Sequence, residues 1–529
     1  CRTGTSPGGV VLTLPADVPV RHRDELDRVQ RECRDTEGVT VIIYDQTCAT
    51  EKRRRRKRGL MAEAAARVVI NERVCEGCGD CGVQSNCLSV EPLQTPLGRK
   101  RTINQSTCNQ DFSCIKGFCP SFVTVAGVKP RTQAALPSAQ ALSPLPEPVL
   151  PALRPGGGAW GIVVAGVGGT GVITIGQILG MAAHLEGKGI VTQDAAGLAQ
   201  KGGATWSHVL IGARQDDILT TRVPTAAADL ILACDPIVAA SAETLARTLP
   251  GRTRVALNAQ ATPTAAFVQD PDWRNPSARC VAAISEAVGA EAVGAFDAEA
   301  LASKVLGDTL YVNPMVLGYA WQKGWIPLRR ETIERAIELN GVAVAANKAA
   351  FEWGRRAAHE PAAVQRLLAP AQVVPLHRAP ALEPTVRAWV EHLTGYQDAA
   401  YAQRYEALVR RVQQAESVCG GRGELARAVA QQYGRLLAIK DEYEVARLYT
   451  DGAFLQRLRE EFDGVPRLTF HLAPPLLARR NERGELRKRP FGPWMLTVMR
   501  WLARARRLRG TWLDPFGYTE ERRMERALI

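Results

Sequence analysis

Short apolar runs alternate with longer helical patterns through the middle of the chain. Five runs have the length and composition of buried strands, and Val172–His184, after the first run, has the pattern of a buried helix. Strands separated by helices are typical of a parallel sheet with crossover helices. The pattern therefore predicts a doubly wound, Rossmann-like α/β domain from Trp160 to about Arg356. The predicted strands are 161–165, 190–194, 206–211, 229–235 and 254–258.

The two ends of the chain have different patterns. Asp24–Arg34 has helical spacing and Val39–Tyr44 is apolar, which predicts a helix followed by a buried strand. Beyond Pro375 most segments have amphipathic helical spacing, and Glu520–Ile529 is typical of a helix without a capping or stop signal. Because residue 1 is a cysteine and not a methionine, we expect a fragment of a longer, multi-domain protein of mixed α/β and α+β class.

Proline and alanine dominate the segment from Lys129 to Gly158, which ends in three glycines. This composition predicts a semi-extended linker between two modules. The chain then divides into five predicted regions. They are 1–58, the end of an α/β domain; 59–128, a cysteine-rich module; 129–158, the linker; 159–370, the glycine-loop domain; and 371–529, an incomplete helical domain.

The composition of the chain indicates where the protein is located in the cell and which partners it can bind. The 529 residues carry a formal net charge of +13, and Lys52–Arg58 is a continuous basic run. No aromatic residue interrupts that run to stack on bases, so we expect no nucleic-acid partner. Gly156–Ala183 lacks charge but is rich in glycine, which fits a strand, a loop and a buried helix better than a membrane span. Six of the 13 cysteines are scattered without paired spacing, which predicts a reducing cytoplasm.

The other seven cysteines lie close together in sequence. Their spacing is Cys75-x2-Cys78-x2-Cys81-x5-Cys87, followed by Cys108-x5-Cys114-x4-Cys119-Pro120. A cubane cluster takes three thiolates from one tight turn and a fourth from a distance. The pattern predicts a two-cluster ferredoxin module, in which Cys75, Cys78, Cys81 and Cys119 bind the first 4Fe–4S cluster.

The second set is one ligand short. Cys87, Cys108 and Cys114 remain, and Asp111 stands where the middle cysteine of the second run would be. A carboxylate is a harder ligand than a thiolate, so this cluster would have an altered potential or become a 3Fe–4S centre. Cys48 is the rival for the fourth place.

The same cysteines have two other interpretations, a zinc site and a disulfide framework. Three thiolates so close in sequence would crowd one zinc tetrahedron, and zinc does not explain the terminal Cys-Pro. The cluster interpretation is therefore preferred.

A glycine-rich loop follows the first predicted strand of the middle domain. Gly166, Gly168 and Gly171 match Gly-x-Gly-x2-Gly, with Gly169 between them, and Asp194 ends a strand about twenty residues later. By spacing this is a dinucleotide fingerprint, because glycines let a phosphate approach backbone N–H groups at a helix N-terminus. A strand-to-helix crossing without a ligand is the other interpretation. The histidines lack partners at metal or triad spacing, so no catalytic residue is predicted.

Together these segments resemble the long, fused indolepyruvate ferredoxin oxidoreductases of the 2-oxoacid:ferredoxin oxidoreductase family, over essentially the whole chain. The most specific matches are Tyr44–Ala49 with the basic run, Cys75–Cys81 and Ser113–Phe122. Gly166–Gly171, with Ala199–Gly203 and Asn313–Gly318, looks like the gamma domain of that family, and Lys440–Arg447 is similar to its C-terminal extension.

The resemblance implies an enzyme that decarboxylates indolepyruvate or a related aryl 2-oxoacid on thiamine diphosphate and magnesium. It implies that electrons pass through iron–sulfur clusters to ferredoxin and that the acyl group is transferred to coenzyme A. Residues 1–58 would then end the thiamine-diphosphate domain, and 159–370 would be the gamma domain. The glycine loop and the basic run are candidates for the phosphates of coenzyme A. A homo-oligomer of the full-length chain is expected, with this part inactive alone.

Two other functions fit the same residues. A nicotinamide or flavin oxidoreductase with an attached ferredoxin module would use the glycine loop and Asp194. A non-catalytic electron-transfer subunit would need only the clusters.

Overall fold

The computed structural model describes residues 2–5, 11–15, 18–57, 59–131, 143–153, 156–196, 203–261, 270, 275–368, 382–474 and 488–527. The chain forms two compact units, one within 1–65 and 108–111 and the other within 66–107 and 112–529. Most of the family-like segment Ala199–Gly203, and residues 132–142 of the predicted linker, lie outside the described ranges.

The described residues of the smaller unit form a hairpin and two α-helices. Strands β1 (Arg2–Thr5) and β2 (Val11–Leu14) pair antiparallel. Helix α1 (Leu26–Arg34) follows one turn of 3-10 helix, which confirms the helix predicted from Asp24 to Arg34. The basic run forms most of helix α2 (Ala49–Lys57).

The strand predicted at Val39–Tyr44 is wrong. Residues 39–48 have no regular secondary structure, and Val39 and Val41 are 97% and 77% exposed. A strand is stabilised by hydrogen bonds and side-chain contacts with a neighbouring strand. No strand in the described ranges pairs with this segment, so its apolar sequence alone does not give it an extended, buried structure.

In the described part of the larger unit there are twelve further strands, arranged in three sheets. They are β3 (Ala66–Ile70), β4 (Val90–Thr95), β5 (Gly98–Ile103), β6 (Phe122–Pro130), β7 (Trp160–Val167), β8 (Gly189–Ala196), β9 (Ala204–Gly212), β10 (Leu230–Ala233), β11 (Arg254–Asn258), β12 (Val293–Phe296), β13 (Phe462–Leu472) and β14 (Arg489–Phe491).

The helices of this unit include those predicted after the glycine loop and beyond Pro375. They are α3 (Asp80–Ser85), α4 (Val172–Leu185), α5 (Pro236–Ala239), α6 (Ala242–Leu245), α7 (Ser277–Val288), α8 (Ala298–Leu306), α9 (Val312–Gln322), α10 (Arg330–Asn340), α11 (Val344–His359), α12 (Pro361–Leu368), α13 (Leu382–Tyr396), α14 (Ala399–Val418), α15 (Glu424–Leu437), α16 (Glu442–Thr450), α17 (Ala453–Glu461), α18 (Met495–Arg504) and α19 (Glu520–Ala527).

The largest sheet has the strand order β12-β11-β10-β7-β9-β8. Successive residues of β7 face opposite sides, as in any strand. Ile162 and Val164 pack with α4, α9 and α11, whereas Val163 packs with Ile284 of α7. Helices therefore cover both faces of this sheet.

The alternation of strands and helices predicts a sheet that is parallel throughout, but the observed sheet is mixed. β12, β11, β10 and β7 are parallel, but β9 runs antiparallel to both β7 and β8. Only residues 197–203 separate β8 from β9. A parallel connection needs a dozen residues or more, so this short connection explains the antiparallel pair.

A second, antiparallel sheet has the order β14-β13-β6-β3 and combines strands from the cysteine-rich module and the C-terminal region. Val69 of β3 and Val123 of β6 share a core with Leu448 and Tyr449 of α16 and with Phe470 of β13. The C-terminal region is therefore mostly helical, but two of its strands complete the sheet of the cysteine-rich module.

The third sheet is the hairpin of β4 and β5. Helices α13, α14 and α15 pack around a separate core that contains Trp389 and Tyr405. Among the described helices, none has both the length and the apolar composition required to cross a bilayer.

Candidate functional site

The loop after β3 carries three of the cysteines. The carbonyl of Asn71 accepts a hydrogen bond from the N–H of Cys75 at 3.0 Å. Gly77 has a φ of +70°, and a Cβ there would lie 2.3 Å from the carbonyl oxygen of Arg99 in β5. The left-handed backbone and the close approach both require glycine. The chain thus turns tightly before Cys81, the second residue of α3.

Cys119 joins the three cysteines of this loop. Cys75, Cys78 and Cys119 interact electrostatically with one another, and Cys81 interacts with all three. Burial, together with the thiols of Cys75 and Cys119, raises the pKa of Cys81 to about 12. Burial also raises the pKa of Cys119 to about 11, against hydrogen bonds from Ser121. The four thiols therefore share one site, and a metal bound there would have to displace their protons.

Hydrogen-bond donors contact two of the sulfur atoms. The N–H of Gly77 donates to Cys75 Sγ at 3.3 Å, and the backbone of Arg101 bonds to the same side chain. Ser121 Oγ lies 3.0 Å from Cys119 Sγ, and the Ser121 backbone adds a second hydrogen bond. Hydrogen bonds to sulfur stabilise thiolates and help to set the potential of a cluster. These contacts suit thiolate ligands.

Three cations line the four-thiol site. Lys100 is 7% exposed, and its Nζ donates to the carbonyl of Cys75 at 2.6 Å. Arg101 is 2% exposed and interacts electrostatically with three of the thiols. Lys488 Nζ donates to the carbonyl of Cys119 at 3.0 Å, and burial lowers the pKa of Lys488 to about 8 although the nearby thiols oppose this shift. Buried cations require opposite charge nearby; Glu76 supplies part of it to Lys100 and Asp80 part of it to Lys488, and the thiols add to both.

The arrangement does not match a site for a single metal ion. Within the described ranges, no three histidine, cysteine, aspartate or glutamate side chains are close enough to share one ion. A zinc ion holds thiolates at about 2.3 Å from a common centre, whereas a cubane offers each thiolate its own iron. In the part of the chain that the structure describes, the four thiols are therefore not placed for a single ion, and the cluster stays a prediction from the sequence.

The second predicted set is divided between the two compact units. Cys87 and Cys114 belong to the larger unit, and Cys114 is buried in a turn of 3-10 helix. Cys108 and Asp111 belong to the smaller unit, where Asp111 is exposed. Cys48, the rival ligand, is also exposed and also lies in the smaller unit. The ligands of a second cluster therefore stay a prediction.

The glycine loop connects β7 to α4. A Cβ at Gly166 would lie 2.8 Å from the side chain of Val172, so this glycine permits a close strand-to-helix approach. Gly169 and Gly171 have φ values of +86° and +100°. The N–H of Gly168 donates to the carbonyl of Gly203 at 2.7 Å, and this N–H is therefore already used within the protein.

Asp194 does not have the place of the acidic residue in a dinucleotide-binding domain. That residue ends the strand beside the glycine-bearing strand. Here β9 lies between β7 and β8, so Asp194 is two strands away from β7, about 10 Å at the usual strand spacing. Instead, the loop is held by Asn313, whose Nδ2 donates to the carbonyl of Thr170 at 3.0 Å. The nicotinamide alternative loses its geometric support.

Sequence reasoning missed Ser121, Lys100, Arg101 and Lys488. Ser121 directly follows Cys119-Pro120, and this proximity was the available signal. Lys488 is 369 residues from Cys119, so no local pattern relates the two.

Comparison with known proteins separates two regions of the chain. Residues 161–357 match the family described as pyruvate ferredoxin/flavodoxin oxidoreductase. Residues 382–529 match a family of unknown function, DUF6537.

Curated relatives include the indolepyruvate oxidoreductase subunit IorB of two archaea. The chain is 31% identical to that of Methanothermobacter thermautotrophicus over 177 residues, which are 33% of this chain and 84% of the relative. It is 31% identical to that of Pyrococcus horikoshii over 203 residues, which are 38% of this chain and 96% of the relative.

Among solved structures, the chain is similar to the gamma subunit of a keto/oxoacid ferredoxin oxidoreductase from Geobacter sulfurreducens. The identity is 22% and the TM-score 0.27, over 38% of this chain and 98% of the other.

Given the oxidoreductase model matched over residues 161–357 and a relative 31% identical over 84% of its length, the chain belongs to the 2-oxoacid:ferredoxin oxidoreductase family.

Proposed function

We propose that this chain forms part of an enzyme that oxidatively decarboxylates indolepyruvate, or a related aryl 2-oxoacid, to the acyl-CoA. Thiamine diphosphate and magnesium serve the decarboxylation, and ferredoxin receives the electrons. The names of the curated relatives, indolepyruvate oxidoreductase subunits, support this substrate class. In this proposal residues 59–128 are the electron-exit module and residues 159–370 the gamma domain, with the glycine loop Gly166–Gly171 as the candidate contact for coenzyme A phosphates.

One observation carries the proposal. Cys75, Cys78, Cys81 and Cys119 share a site lined by buried cations, in the same chain as a domain of an oxidoreductase family that uses ferredoxin. A 4Fe–4S cluster, when bound, supplies one-electron transfer. The four cysteines would hold it.

The surrounding residues have separate roles. Gly77 and Ser121 donate hydrogen bonds to thiolate sulfur, and the Asn71 carbonyl fixes the backbone of Cys75. Lys100 and Arg101 offset the negative charge of the thiolates in a buried setting. Together these residues keep the ligands in one orientation, and this limits the reorganisation that accompanies electron transfer.

A second cluster is part of the proposal. Its ligands would be Cys87, Cys108 and Cys114, with Asp111 as the fourth, in a 4Fe–4S or a 3Fe–4S form. The spacing of the two cysteine runs supports this set. An Asp111→Cys variant is expected to change the potential or the magnetic resonance spectrum of this centre, and an unchanged spectrum would exclude Asp111.

The first test is metal content. After anaerobic reconstitution of the whole chain with iron and sulfide, we expect acid-labile sulfide and a cluster signal in electron paramagnetic resonance. Cys78→Ala should lose one cluster, whereas Cys419→Ala, also an exposed cysteine, should keep full iron content. Zinc in place of iron in the purified protein would refute the proposal.

The second test is turnover. The reconstituted chain is combined with a separately expressed thiamine-diphosphate subunit from a relative, and ferredoxin reduction is measured with indolepyruvate, phenylpyruvate and pyruvate in the presence of coenzyme A. Faster reduction with the aryl substrates is expected. A cluster-loaded chain that supports no substrate-dependent reduction would instead indicate a non-catalytic electron-transfer subunit.

A further inference from the structure

The C-terminal region, whose family has no assigned function, adds a strand to the module that carries the four thiols. Strand β13 pairs antiparallel with β6, with Phe470 opposite Val123 and Leu468 opposite Val125. β6 begins at Phe122, three residues after Cys119. The strand that leaves the fourth ligand is therefore held by the C-terminal region on one side and by β3 on the other.

Helix α16 covers the four-thiol site from the same region. Tyr449 is fully buried, and its hydroxyl donates to the carbonyl of Pro120 at 2.8 Å. It interacts electrostatically with Cys119 and Cys75. Its ring packs edge-on against Phe454 and Phe470, with centroids 5.2 Å apart in both cases. Tyr449 therefore closes the site with apolar surface and satisfies the backbone next to Cys119.

The same helix also supports the cysteine loop. Asn71, whose carbonyl accepts the N–H of Cys75, donates from Nδ2 to the carbonyl of Leu448 at 3.0 Å. Arg73 forms an ion pair with Asp451, just beyond α16. Residues 71–73, which lead into the cysteine loop, are therefore held at Asn71 by α16 and at Arg73 by the residue that follows α16.

Lys488 brings a positive charge next to Cys119. Its Nζ donates to the Cys119 carbonyl at 3.0 Å and lies 5.4 Å from the centroid of the Phe122 ring. It interacts electrostatically with Cys119, with the carboxylate of Asp80, and with Cys114 and Cys81. A cation near a cluster favours the reduced state, because reduction adds negative charge in a medium of low dielectric constant.

We propose that the C-terminal region covers the Cys75–Cys119 cluster: the Tyr449 hydroxyl occupies the carbonyl of Pro120 and so keeps water from the backbone beside Cys119, and Lys488 raises the reduction potential of the cluster. This inference rests on the proposed function, since it requires that the four thiols hold an iron–sulfur cluster. It gives a role to a region whose sequence family has none. Both residues are positioning residues that act through the backbone and the field around the ligands.

The potential of the reconstituted chain, measured at neutral pH by a redox titration followed by electron paramagnetic resonance, tests Lys488. In Lys488→Gln we expect the ratio of reduced to oxidised cluster at a fixed ambient potential to fall about tenfold, which is about 59 mV for one electron. Lys488→Arg should restore the potential. Lys188→Gln is the matched control, because Lys188 also donates to a backbone carbonyl, that of Pro327, in another part of the unit.

The rate of iron loss to a chelator tests Tyr449. Tyr449→Phe leaves the carbonyl of Pro120 without its donor, so we expect iron release several-fold faster than in the unmodified chain. Tyr405→Phe is the matched control, because the Tyr405 hydroxyl also donates to a backbone carbonyl, that of Ala430, at 2.9 Å in the separate helical core. Its iron release should match the unmodified chain.

The outcomes separate the two proposals. No iron–sulfur cluster in the unmodified chain would refute the proposed function and this inference with it. A cluster whose potential is the same in Lys488→Gln, or whose release is the same in Tyr449→Phe and Tyr405→Phe, would refute this inference alone.

Discussion

Glu444 is the most deeply buried carboxylate of α16, and its replacement by glutamine should destabilise the C-terminal region strongly. It is 0% exposed. Arg447 contacts both of its oxygens, at 2.8 and 2.7 Å, and His392 Nε2 lies 3.2 Å from Oε1. Glu444→Gln leaves the Arg447 guanidinium, which is 11% exposed, without a counter-charge.

The size of the effect follows from the pKa of Glu444. Burial alone would raise this pKa, but hydrogen bonds from Arg447 and His392 and the charge of Lys440 outweigh burial and lower it from 4.5 to about 2. One pKa unit corresponds to about 1.4 kcal/mol, so the native state favours the ionised carboxylate by roughly 3 kcal/mol. Breaking a buried ion pair typically costs about 3–5 kcal/mol, in agreement with this value.

The sign of the pH dependence follows from the lowered pKa. The native state binds fewer protons than the unfolded state between about pH 4.5 and about pH 2. The stabilisation by Glu444 is therefore complete above about pH 4.5 and is lost as the pH falls towards 2. The difference in amide-exchange protection of α16 between the unmodified chain and Glu444→Gln should narrow across the same interval.

Amide hydrogen exchange measures this locally, because a chain of several domains has no single unfolding transition. A loss of about 3 kcal/mol should speed exchange in α16 about a hundredfold at neutral pH. Glu338→Gln is the control, because Glu338 forms exposed ion pairs with Arg335 and Lys348; exposed pairs contribute about 1 kcal/mol or less. Exchange in α16 within fivefold of the unmodified chain would refute the assigned energy of the Glu444 contacts.

Gly77→Ala should prevent cluster assembly, because the new Cβ would lie 2.3 Å from the Arg99 carbonyl oxygen. Gly341→Ala is the control, because Gly341 has a similar φ of +71° but open space around it. This control variant should lose about 1–2 kcal/mol of stability and keep full iron content. Equal iron content in both variants would contradict the steric argument. Burial, with the nearby Glu299, raises the pKa of Glu91 to about 8. The native state therefore holds an extra proton between about pH 4.5 and 8, and stability falls as the pH rises through this interval. Glu91→Gln should show a smaller loss of amide-exchange protection in β4 between pH 5 and 8, and an identical loss would exclude this role.

Local patterns predicted much of the secondary structure. The helices after the glycine loop and beyond Pro375 form because their apolar residues recur on one face, and this depends only on residues close in sequence. The apolar segment Val39–Tyr44 has an equally clear pattern, but it stays exposed. A strand needs a pairing partner, and the sequence of the segment does not specify one.

The mixed sheet shows the same limit. The five predicted strands are present, but their alternation with helices suggested a parallel order. The short connection from β8 to β9 decides the antiparallel pairing, and it places Asp194 away from the glycine loop. Strand existence is a local property, whereas strand order depends on the connections.

The sequence by itself predicted which four cysteines come together, Cys119 included. Cys75, Cys78 and Cys81 lie on one tight turn, so their spacing along the chain largely fixes their spacing in the molecule. The tertiary structure alone decided what surrounds them, because Tyr449 and Lys488 reach the site from 329 and 369 residues away. Electric fields and water exclusion depend on distance in space, and residues distant in the chain leave no local pattern from which that distance can be inferred.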